Sequence, residues 1–181
     1  MQDELALLGR ARAFDQEALG QIHDLYYDAI FRYVSFRVGN AQTVEDLTSE
    51  VFTRFLSSLN ERNAPQNTIQ GWLFGTASRV VKEYYRRASR AQLVPLSETI
   101  AAKGIDIDDK LQADLEKQLL HQAMAELTDD QQHVLAMRFG YGMAIRDVAK
   151  NMNKSEASIK MLQARAIASL GRKLSGMEVG Q

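Results

Sequence analysis

The sequence predicts an all-α protein made of two small helical domains joined by an acidic linker. Apolar residues recur at three- and four-residue spacing through most of the 181 residues, and no stretch sustains the alternation of a β-strand. This pattern weakens after Pro95, which separates two helical parts. We therefore expect an N-terminal domain over residues 1–92, a linker over 93–110 and a C-terminal domain over 111–176.

Three helices are predicted in the N-terminal domain. The first extends from Glu17 to Val38 and stops at Gly39. The second extends from Thr43 to Leu59, because Thr43 and Asp46 resemble a capping box. A polar loop, "NERNAPQNTIQ", then precedes a third helix, "GWLFGTASRVVKEYYRRASR". In this third helix the apolar residues occupy one side and the basic residues largely another.

The C-terminal domain is predicted to contain a helix-turn-helix unit. Helical order resumes near Leu111, and a capping box at Thr128 begins a helix that extends to Phe139. The stretch "AIRDVAKNMNKSEASIKMLQARA", residues 144–166, then has the spacing of two short helices that cross closely. Asn153 is expected in the left-handed turn and Ser155 as the N-cap of the second helix. An ordinary helical hairpin is the alternative.

Charge is strongly segregated although the formal net charge is only −1. Residues 79–90 contain five basic residues against one acidic residue, and residues 145–175 contain seven against two. Residues 93–130 between them contain nine acidic residues against three basic ones. Two basic helices in one chain favour a polyanion as partner. The acidic segment can shield these basic faces in the free protein or mimic nucleic acid in a larger complex, and both alternatives remain open.

The second helix of the helix-turn-helix unit is the candidate reader of duplex DNA. With its first turns in a major groove, it would present Ser158, Lys160 and Met161, with Lys154 and Arg165 nearby. In the third predicted helix, four cations within about two turns are candidates for phosphate contacts. These are Arg79, Lys82, Arg86 and Arg87.

The ordered motifs resemble those of the extracytoplasmic-function (ECF) sigma factors of the sigma-70 family. "TVEDLTSEVFTRFLSSL" resembles the polymerase-binding segment of sigma region 2, and "GWLFGTASRVVKEYYRR" resembles the helix that melts and reads the −10 element. "LTDDQQHVLAMRFGYGMAIRDVAKNMNKSEASIKMLQARAIASL" resembles region 4, which docks on the −35 element. The resemblance implies core RNA polymerase, through its β′ and β subunits, and promoter DNA as partners. It also makes an anti-sigma factor plausible.

The resemblance and the residues together indicate three candidate surfaces. The surface expected to bind core polymerase consists of Asp46, Glu50, Phe52 and Leu56. The −10 surface consists of Asn63, Gln66, Asn67, Trp72, Arg79, Lys82, Arg86 and Arg87. The −35 surface consists of Lys154, Ser158, Lys160, Met161 and Arg165. Phe52 and Trp72 can each belong to the core instead.

Three positions depart from the family pattern. Ser49 stands where many relatives have Gln, Asn153 replaces the usual turn Gly, and Ala164 stands where some relatives carry His. Because of Ser49, one polar contact that relatives make to polymerase is not carried over to this chain. Because of Asn153 and Ala164, the base preference at −35 is not transferable.

Other classes of function fit the sequence less well. There are three scattered His residues, no Cys and no phosphate-binding Gly loop, so we expect no catalytic residues, no metal and no cofactor. No apolar run reaches the length of a membrane span and the first residues lack the apolar core of a signal peptide, so we expect a cytoplasmic protein. The alternative function is a conventional dimeric helix-turn-helix repressor or activator, which would leave the basic third helix unexplained.

Overall fold

The computed structural model describes residues 2–60, 65, 68–91 and 109–178, and within them the chain is helical and has no strand. The all-α prediction is confirmed. The α-helices are α1 (Gln2–Arg12), α2 (Gln16–Ser35), α3 (Ala41–Ser58), α4 (Ile69–Ala91), α5 (Asp109–Ala125), α6 (Asp129–Leu135), α7 (Ile145–Met152) and α8 (Glu156–Glu178). A π-helical segment, Ala136–Gly140, follows α6.

Helix α1 was not expected from the sequence, and its role depends on residues far along the chain. The Glu4 carboxylate accepts a hydrogen bond from the backbone N–H of Ile69 at 2.8 Å, which places a negative charge at the N-terminus of α4. Arg12 donates to the carbonyl oxygen of Pro65 at 2.9 Å. Leu8 and Ala11 are buried against the other helices. Helix α1 thus holds the start of α4 in place.

Helix α3 begins two residues earlier than predicted because Asn40, not Thr43, is its N-cap. The Asn40 side-chain oxygen accepts from the backbone N–H of Thr43 at 2.9 Å, and Asn40 itself has an extended backbone. The capping box predicted for Thr43 and Asp46 is therefore wrong. Asp46 instead accepts a hydrogen bond from Gln42 at 3.3 Å and faces outward.

Helix α2 also differs from its predicted bounds. Asp15 caps its N-terminus by accepting from the backbone N–H groups of Glu17 and Ala18. The helix ends at Ser35, three residues before the predicted end at Val38. Phe36 and Arg37 form a turn after the helix, and Arg37 lies in the interior, where only 2% of the residue is exposed.

The helix predicted from Thr128 to Phe139 exists, but it changes pitch. Thr128 and Gln131 form the predicted capping box, with both reciprocal hydrogen bonds present. After Leu135 the backbone widens into the π-helical segment, and the N–H of Tyr141 donates to the carbonyl of Ala136. Gly142 then takes a positive φ of 81°, which reverses the chain toward α7.

Helices α7 and α8 form the predicted helix-turn-helix. Asn153 lies in the left-handed region with φ 51° and ψ 48°, and Ser155 accepts from the backbone N–H of Ser158 at 3.2 Å. Helices α7 and α8 are in contact, and Val148 and Ala149 of α7 are buried in the same hydrophobic core as Ile159 of α8. Both turn residues behave as the sequence predicts.

The helices before and after residues 92–108 share one hydrophobic core. The rings of Phe74 in α4 and Tyr141 lie 5.3 Å apart between their centroids. The backbone of Gly140 lies so close to α2 that a Cβ there would stand 3.2 Å from the Cβ of Phe36. The expected linker, 93–110, lies outside the described residues except for its last two, where α5 already begins.

Candidate nucleic-acid and partner-binding surfaces

Helix α4 separates a buried apolar face from an exposed basic one. Leu73, Phe74, Ala77, Val80 and Val81 are buried, which orients the intervening cations outward. All four candidate cations, Arg79, Lys82, Arg86 and Arg87, are exposed.

Two of these four cations have partners that fix their side chains. Arg79 donates to the Thr76 hydroxyl at 3.0 Å. Lys82 pairs with Asp129 of α6 at 3.0 Å. Arg87 is 76% exposed and lies 3.8 Å from Glu83, a distance that gives only a loose ion pair.

A polar cavity of about 600 Å³ opens beside the first turns of α4. Its lining residues are Arg54, Ser57, Ser58, Trp72, Thr76, Arg79 and Glu83. Trp72 packs its ring edge-to-face against buried Phe55, at 5.6 Å between centroids, while part of the indole remains accessible. Trp72 therefore belongs both to the edge of the core and to the cavity wall. An aromatic wall with nearby cations suits an unstacked base.

Arg54 is a residue of this cavity that the sequence reasoning missed. It donates to both carboxylate oxygens of Glu83, at 2.7 and 3.2 Å, and to Glu50 at 2.8 Å. The hydrogen bond from Arg54 is the main cause that lowers the pKa of Glu83, and the same pairing raises the pKa of Arg54. The one acidic residue within 79–90 is thus neutralised from α3. The pair is 29 residues apart, so no local pattern predicts it.

Three of the −10 candidates lie outside the described residues. Asn63, Gln66 and Asn67 belong to the loop between α3 and α4, of which the structure describes only Pro65 and Thr68 near them. Their placement relative to the cavity stays a prediction.

The four candidate polymerase-binding residues lie along the two edges of the outer face of α3. At about 100° per residue, Phe52 and Leu56 lie on the edge toward α2, and Asp46 and Glu50 lie on the opposite edge. Leu56 is 43% exposed, and Glu50 is held by Arg54. The structure therefore offers an apolar edge and an acidic edge on one accessible helix.

Phe52 is neither fully buried nor isolated at the surface. Its ring lies 5.9 Å from that of Tyr27 and 5.2 Å from that of His23, both on α2. Tyr27 also stacks on Phe31 at 6.2 Å. The apolar edge of α3 thus continues as an aromatic cluster on α2. The sequence signal for this cluster is the run of rings at positions 23, 27 and 31, a spacing of one helical turn.

Four of the five −35 candidates line one shallow depression of about 230 Å³ on the helix-turn-helix. Lys154, Ser158, Met161 and Arg165 surround it, together with Asp130 and Leu162. Met161 is 57% exposed, so its side chain is accessible at this depression. Lys160 is exposed but does not line this depression. Lys154 pairs with Asp130 at 3.3 Å.

An apolar groove of about 540 Å³ separates α2 and the start of α3 from the C-terminal helices. Phe31, Phe36 and Val44 line one side, and Leu120 and Phe139 line the other. Phe139 is 55% exposed. Within the described residues there is no group of three or more acidic or His side chains that could hold a metal ion.

Comparison with known proteins matches both halves of the chain to one family. The family model "Sigma-70 region 2" matches residues 22–91, and "Sigma-70, region 4" matches residues 123–171. These ranges include α4 with its basic face and the helix-turn-helix, in that order.

Curated relatives match over most of the chain. The ECF RNA polymerase sigma factor BldN of Streptomyces coelicolor is 31% identical over 172 residues, which is 94% of this chain. This chain spans 65% of the length of BldN. The ECF RNA polymerase sigma factor SigX of Bacillus subtilis is 26% identical over 161 residues, which is 84% of this chain and 81% of SigX.

Solved structures match the fold. CnrH, in complex with the cytosolic domain of CnrY, has a TM-score of 0.68 at 19% identity, over 96% of this chain and 97% of CnrH. The sigma factor RpoE of Bartonella quintana, in complex with the anti-sigma factor NepR, has a TM-score of 0.54 at 18% identity. The match to RpoE covers 91% of this chain and 98% of that chain.

The fold and its surfaces define a helical protein with two basic faces, one on a long helix and one on a helix-turn-helix. Because both region models match in order and ECF relatives match along the chain, it belongs to the sigma-70 family, in the ECF group. No helix in the described part of the chain is long and apolar enough to cross a membrane.

Proposed function

We propose that this chain is a non-catalytic specificity subunit of RNA polymerase. It joins core polymerase in the cytoplasm and directs initiation by reading the −10 and −35 elements of a promoter. Residues 1–92 bind polymerase and the −10 element, and residues 111–176 bind the −35 element. Residues 93–110 connect the two.

The observation that carries the proposal is the pair of exposed basic surfaces on elements matched to regions 2 and 4. Helix α4 exposes four cations next to a cavity with an aromatic wall. The helix-turn-helix exposes Lys154, Lys160 and Arg165 around the start of α8. Each surface suits the nucleic acid it would meet, because single strands need stacking and a basic track while duplex DNA accepts a helix in its major groove.

At the −10 element, the exposed cations of α4 contact backbone phosphates and the cavity receives an unstacked base. Trp72 supplies a ring face, while Asn63, Gln66 and Asn67 supply amide donors and acceptors. Arg79, which lines the cavity together with Trp72, can also contact a phosphate, because the hydrogen bond it makes to Thr76 goes to a neutral hydroxyl. This assignment is supported by the cavity and by the outward orientation of the cations.

At the −35 element, α8 enters the major groove with its N-terminal turns. Ser158, Lys160 and Met161 face base edges, while Lys154 and Arg165 contact phosphates or bases. An exposed Met is suited to contact with a thymine methyl group. The depression that four of these residues share supports a single contact area.

Core polymerase binds the outer face of α3. Phe52 and Leu56 offer apolar contact, and Asp46 and Glu50 offer carboxylates to Arg or Lys of a partner helix. The partner is the coiled coil of the polymerase β′ subunit, with the β subunit as a further contact of the assembled enzyme. An anti-sigma factor is a plausible additional partner, since the fold relatives CnrH and RpoE were solved in complexes with CnrY and the anti-sigma factor NepR.

Run-off transcription tests the proposal. Purified core polymerase is mixed with a genomic promoter library, with and without this protein. We expect new discrete start sites that depend on the protein. The absence of new start sites, with a folded protein that forms no complex with core polymerase on a sizing column, would contradict the proposal. It would favour a conventional repressor or activator. A monomer in solution favours the sigma factor, and a dimer on palindromic DNA favours the alternative.

A further inference from the structure

Phe14, in the turn between α1 and α2, has a backbone conformation that residues with side chains rarely adopt. Its φ is 56°, in the left-handed region. The N–H of Phe14 donates to the carbonyl of Ala11 at 2.9 Å. The N–H of Asp15 donates to the carbonyl of Arg10 at 3.2 Å. These two bonds form a Schellman motif, in which the left-handed position is usually Gly, so a Phe at this position is strained.

Burial of the Phe14 ring does not account for this strain. The residue is 46% exposed, whereas Leu8 and Ala11 of the adjoining helix α1 are buried. A strained backbone at a residue that the core does not enclose is a reason to look for a functional role. An exposed aromatic ring also presents a face on which a planar group can stack.

The turn lies beside the loop that joins α3 to α4. Arg12, two residues before Phe14, donates to the carbonyl oxygen of Pro65 in that loop at 2.9 Å. At its other end, α1 caps the start of α4 through Glu4. Helix α1 therefore borders the approach to α4, and Phe14 stands at the loop end of this helix. The turn lies outside the residues matched to sigma region 2, which are 22–91.

Arg12 is the cation of this turn that is suited to a phosphate contact. Arg10 pairs with two carboxylates, those of Asp15 at 2.8 Å and Glu17 at 3.0 Å. Arg12 is exposed, and its bond to Pro65 goes to a neutral carbonyl, which does not cancel the positive charge. An aromatic ring near a cation is the combination with which proteins hold an unstacked base and its backbone.

We propose that the turn between α1 and α2 is an additional contact for the single strand of the melted −10 element. Phe14 stacks on one unpaired base, and Arg12 contacts a phosphate of the same strand. The strand is the occupant that the geometry favours, because the loop that Arg12 contacts adjoins the proposed −10 surface on α4. The inference rests on the proposed function, which supplies the melted strand.

Three substitutions at Phe14 separate stacking from other roles. Phe14→Tyr keeps the ring, Phe14→Leu keeps an apolar side chain without a ring, and Phe14→Gly removes the side chain together with the strain. The probe is a labelled single strand that carries the −10 sequence mapped by run-off transcription, added to the complex of the full chain with core polymerase. Phe14→Tyr should bind the probe like the unsubstituted chain. Phe14→Leu and Phe14→Gly should bind it about tenfold more weakly, as expected for one lost base–aromatic stack.

Leu25→Ala provides the matched control. Leu25 is another exposed apolar residue of the N-terminal helices, 63% exposed on α2. Its substitution should leave affinity for the single strand unchanged. Affinity for duplex DNA that carries only the −35 element should stay unchanged in all these variants, because the bases of a duplex are already paired and stacked.

Salt dependence distinguishes the contribution of the ring from that of the charge. Arg12→Gln should reduce the slope of log affinity against log salt by about 0.7, the contribution of one phosphate contact on a single strand. Phe14→Leu should lower the affinity at every salt concentration without changing the slope, because stacking releases no counterions. A turn that only stabilised the fold would not produce this difference.

Urea unfolding checks that the variants remain folded. Phe14→Leu keeps an apolar side chain in the same backbone conformation, so its midpoint should lie close to that of the unsubstituted chain. Phe14→Gly loses the contacts of a partly exposed ring but also loses the strain at positive φ, so its midpoint should change little. If Phe14→Gly fails to fold, the comparison of Phe14→Leu with Phe14→Tyr still tests the inference.

Unchanged affinity of Phe14→Leu for the single strand would overturn the inference, while protein-dependent start sites would leave the proposed function standing. An equal loss of affinity for core polymerase without DNA would place the ring in the protein interface and would also overturn the inference. The absence of start sites with the unsubstituted chain would overturn the proposed function and this inference together. The two failures are therefore distinguishable.

Discussion

At the scale of single residues, His133 is a group whose protonation the fold alters strongly. Burial, together with the nearby Arg37 guanidinium, lowers its pKa to about 4. The charged and titratable groups that face it are Tyr33 of α2, Arg37 just after α2, Lys82 of α4 and Asp130 of α6. Neutral His133 can accept a hydrogen bond from the Tyr33 hydroxyl, which in turn accepts from Arg37.

Acid should destabilise the fold through His133. Because the pKa in the folded protein is below the ordinary value of about 6.5, the unfolded chain binds more protons, so this contribution to stability is complete above pH 6.5 and is lost toward pH 4. Between pH 7.5 and 5.5 the free energy of unfolding should fall by about 1.4 kcal/mol. Urea unfolding across this range measures it. His133→Gln, which does not titrate, should remove the pH dependence, and an unchanged dependence would assign the effect to another group.

Phe52 is the residue whose dual position makes its role testable. It contacts the rings of His23 and Tyr27, yet it remains partly exposed beside Leu56. Substituting Phe52 therefore shows whether its main role is to contact the polymerase or to stabilise the hydrophobic core.

Phe52→Asp should weaken binding to core polymerase by about 2–3 kcal/mol, the usual size of an interface hot spot. The free energy of unfolding should fall by less than about 2 kcal/mol, because the ring is only partly buried. Affinity measurements and urea unfolding check both numbers. Gln21→Asp, at an exposed position of α2 away from the ring cluster, adds the same charge as a control. Unfolding of the Phe52→Asp variant would show that Phe52 is a core residue.

At the scale of elements, α4 and the turn between α7 and α8 show how local sequence sets a functional surface. The buried positions of α4 orient its cations outward, and its N-terminus is capped from α1 by Glu4. The left-handed Asn153 sets the angle between α7 and α8. Each element carries a surface that a small number of substitutions can test.

Arg86→Ala combined with Arg87→Ala should weaken promoter complexes and leave polymerase binding intact. Two lost phosphate contacts should reduce the slope of log affinity against log salt by about 1.4–1.8. Binding titrations at several salt concentrations, with polymerase binding as the internal control, measure this. Loss of polymerase binding would instead place these two residues in the polymerase interface.

Asn153→Ala should lower the free energy of unfolding by about 1 kcal/mol, because a Cβ-bearing residue without a local side-chain hydrogen bond is strained at positive φ. Asn153→Gly should change it by less than about 0.5 kcal/mol, since Gly adopts this conformation without steric strain. Urea unfolding compares the two. Equal effects of Ala and Gly would mean that the Asn side chain, not its backbone, stabilises the turn.

At the scale of the whole molecule, the continuous core makes the helices before and after residues 92–108 one unit. Phe74 and Tyr141 pack across the junction between them, and Gly140 lets the π-helical segment lie against α2. Arg37 is buried at this junction and donates to the side-chain oxygen of Gln132 in α6 at 2.9 Å. The junction therefore combines apolar packing with a buried polar contact.

The protein should unfold in urea as one cooperative transition. Trp72 is the sole Trp and reports on the N-terminal helices, while far-ultraviolet circular dichroism reports on the whole chain. The two midpoints should coincide, because the junction couples the two parts. In Gln132→Met, where the junction is weakened, they should separate. Separate midpoints in the unsubstituted chain would show that the junction contributes little to stability.

What the sequence by itself determined is mostly local. The helical periodicity, the capping box at Thr128, the left-handed Asn153 and the cap at Ser155 all involve residues within four positions of each other. The exposed cations of α4 also follow from its pattern. Where local signals competed, the prediction failed: Asn40 and Thr43 were both good caps, and only the extended backbone of Asn40 selected it.

Tertiary structure decided the contacts that control the surfaces. Glu4 caps a helix that begins 65 residues later, Arg54 neutralises Glu83 across 29 residues, and Arg37 meets Gln132 across 95. No periodicity encodes such pairs, since they depend on how whole helices pack. The sequence therefore determined which helices form and which faces are basic, while packing decided which carboxylates of the same chain those faces meet, as in the pairs Lys82–Asp129 and Lys154–Asp130.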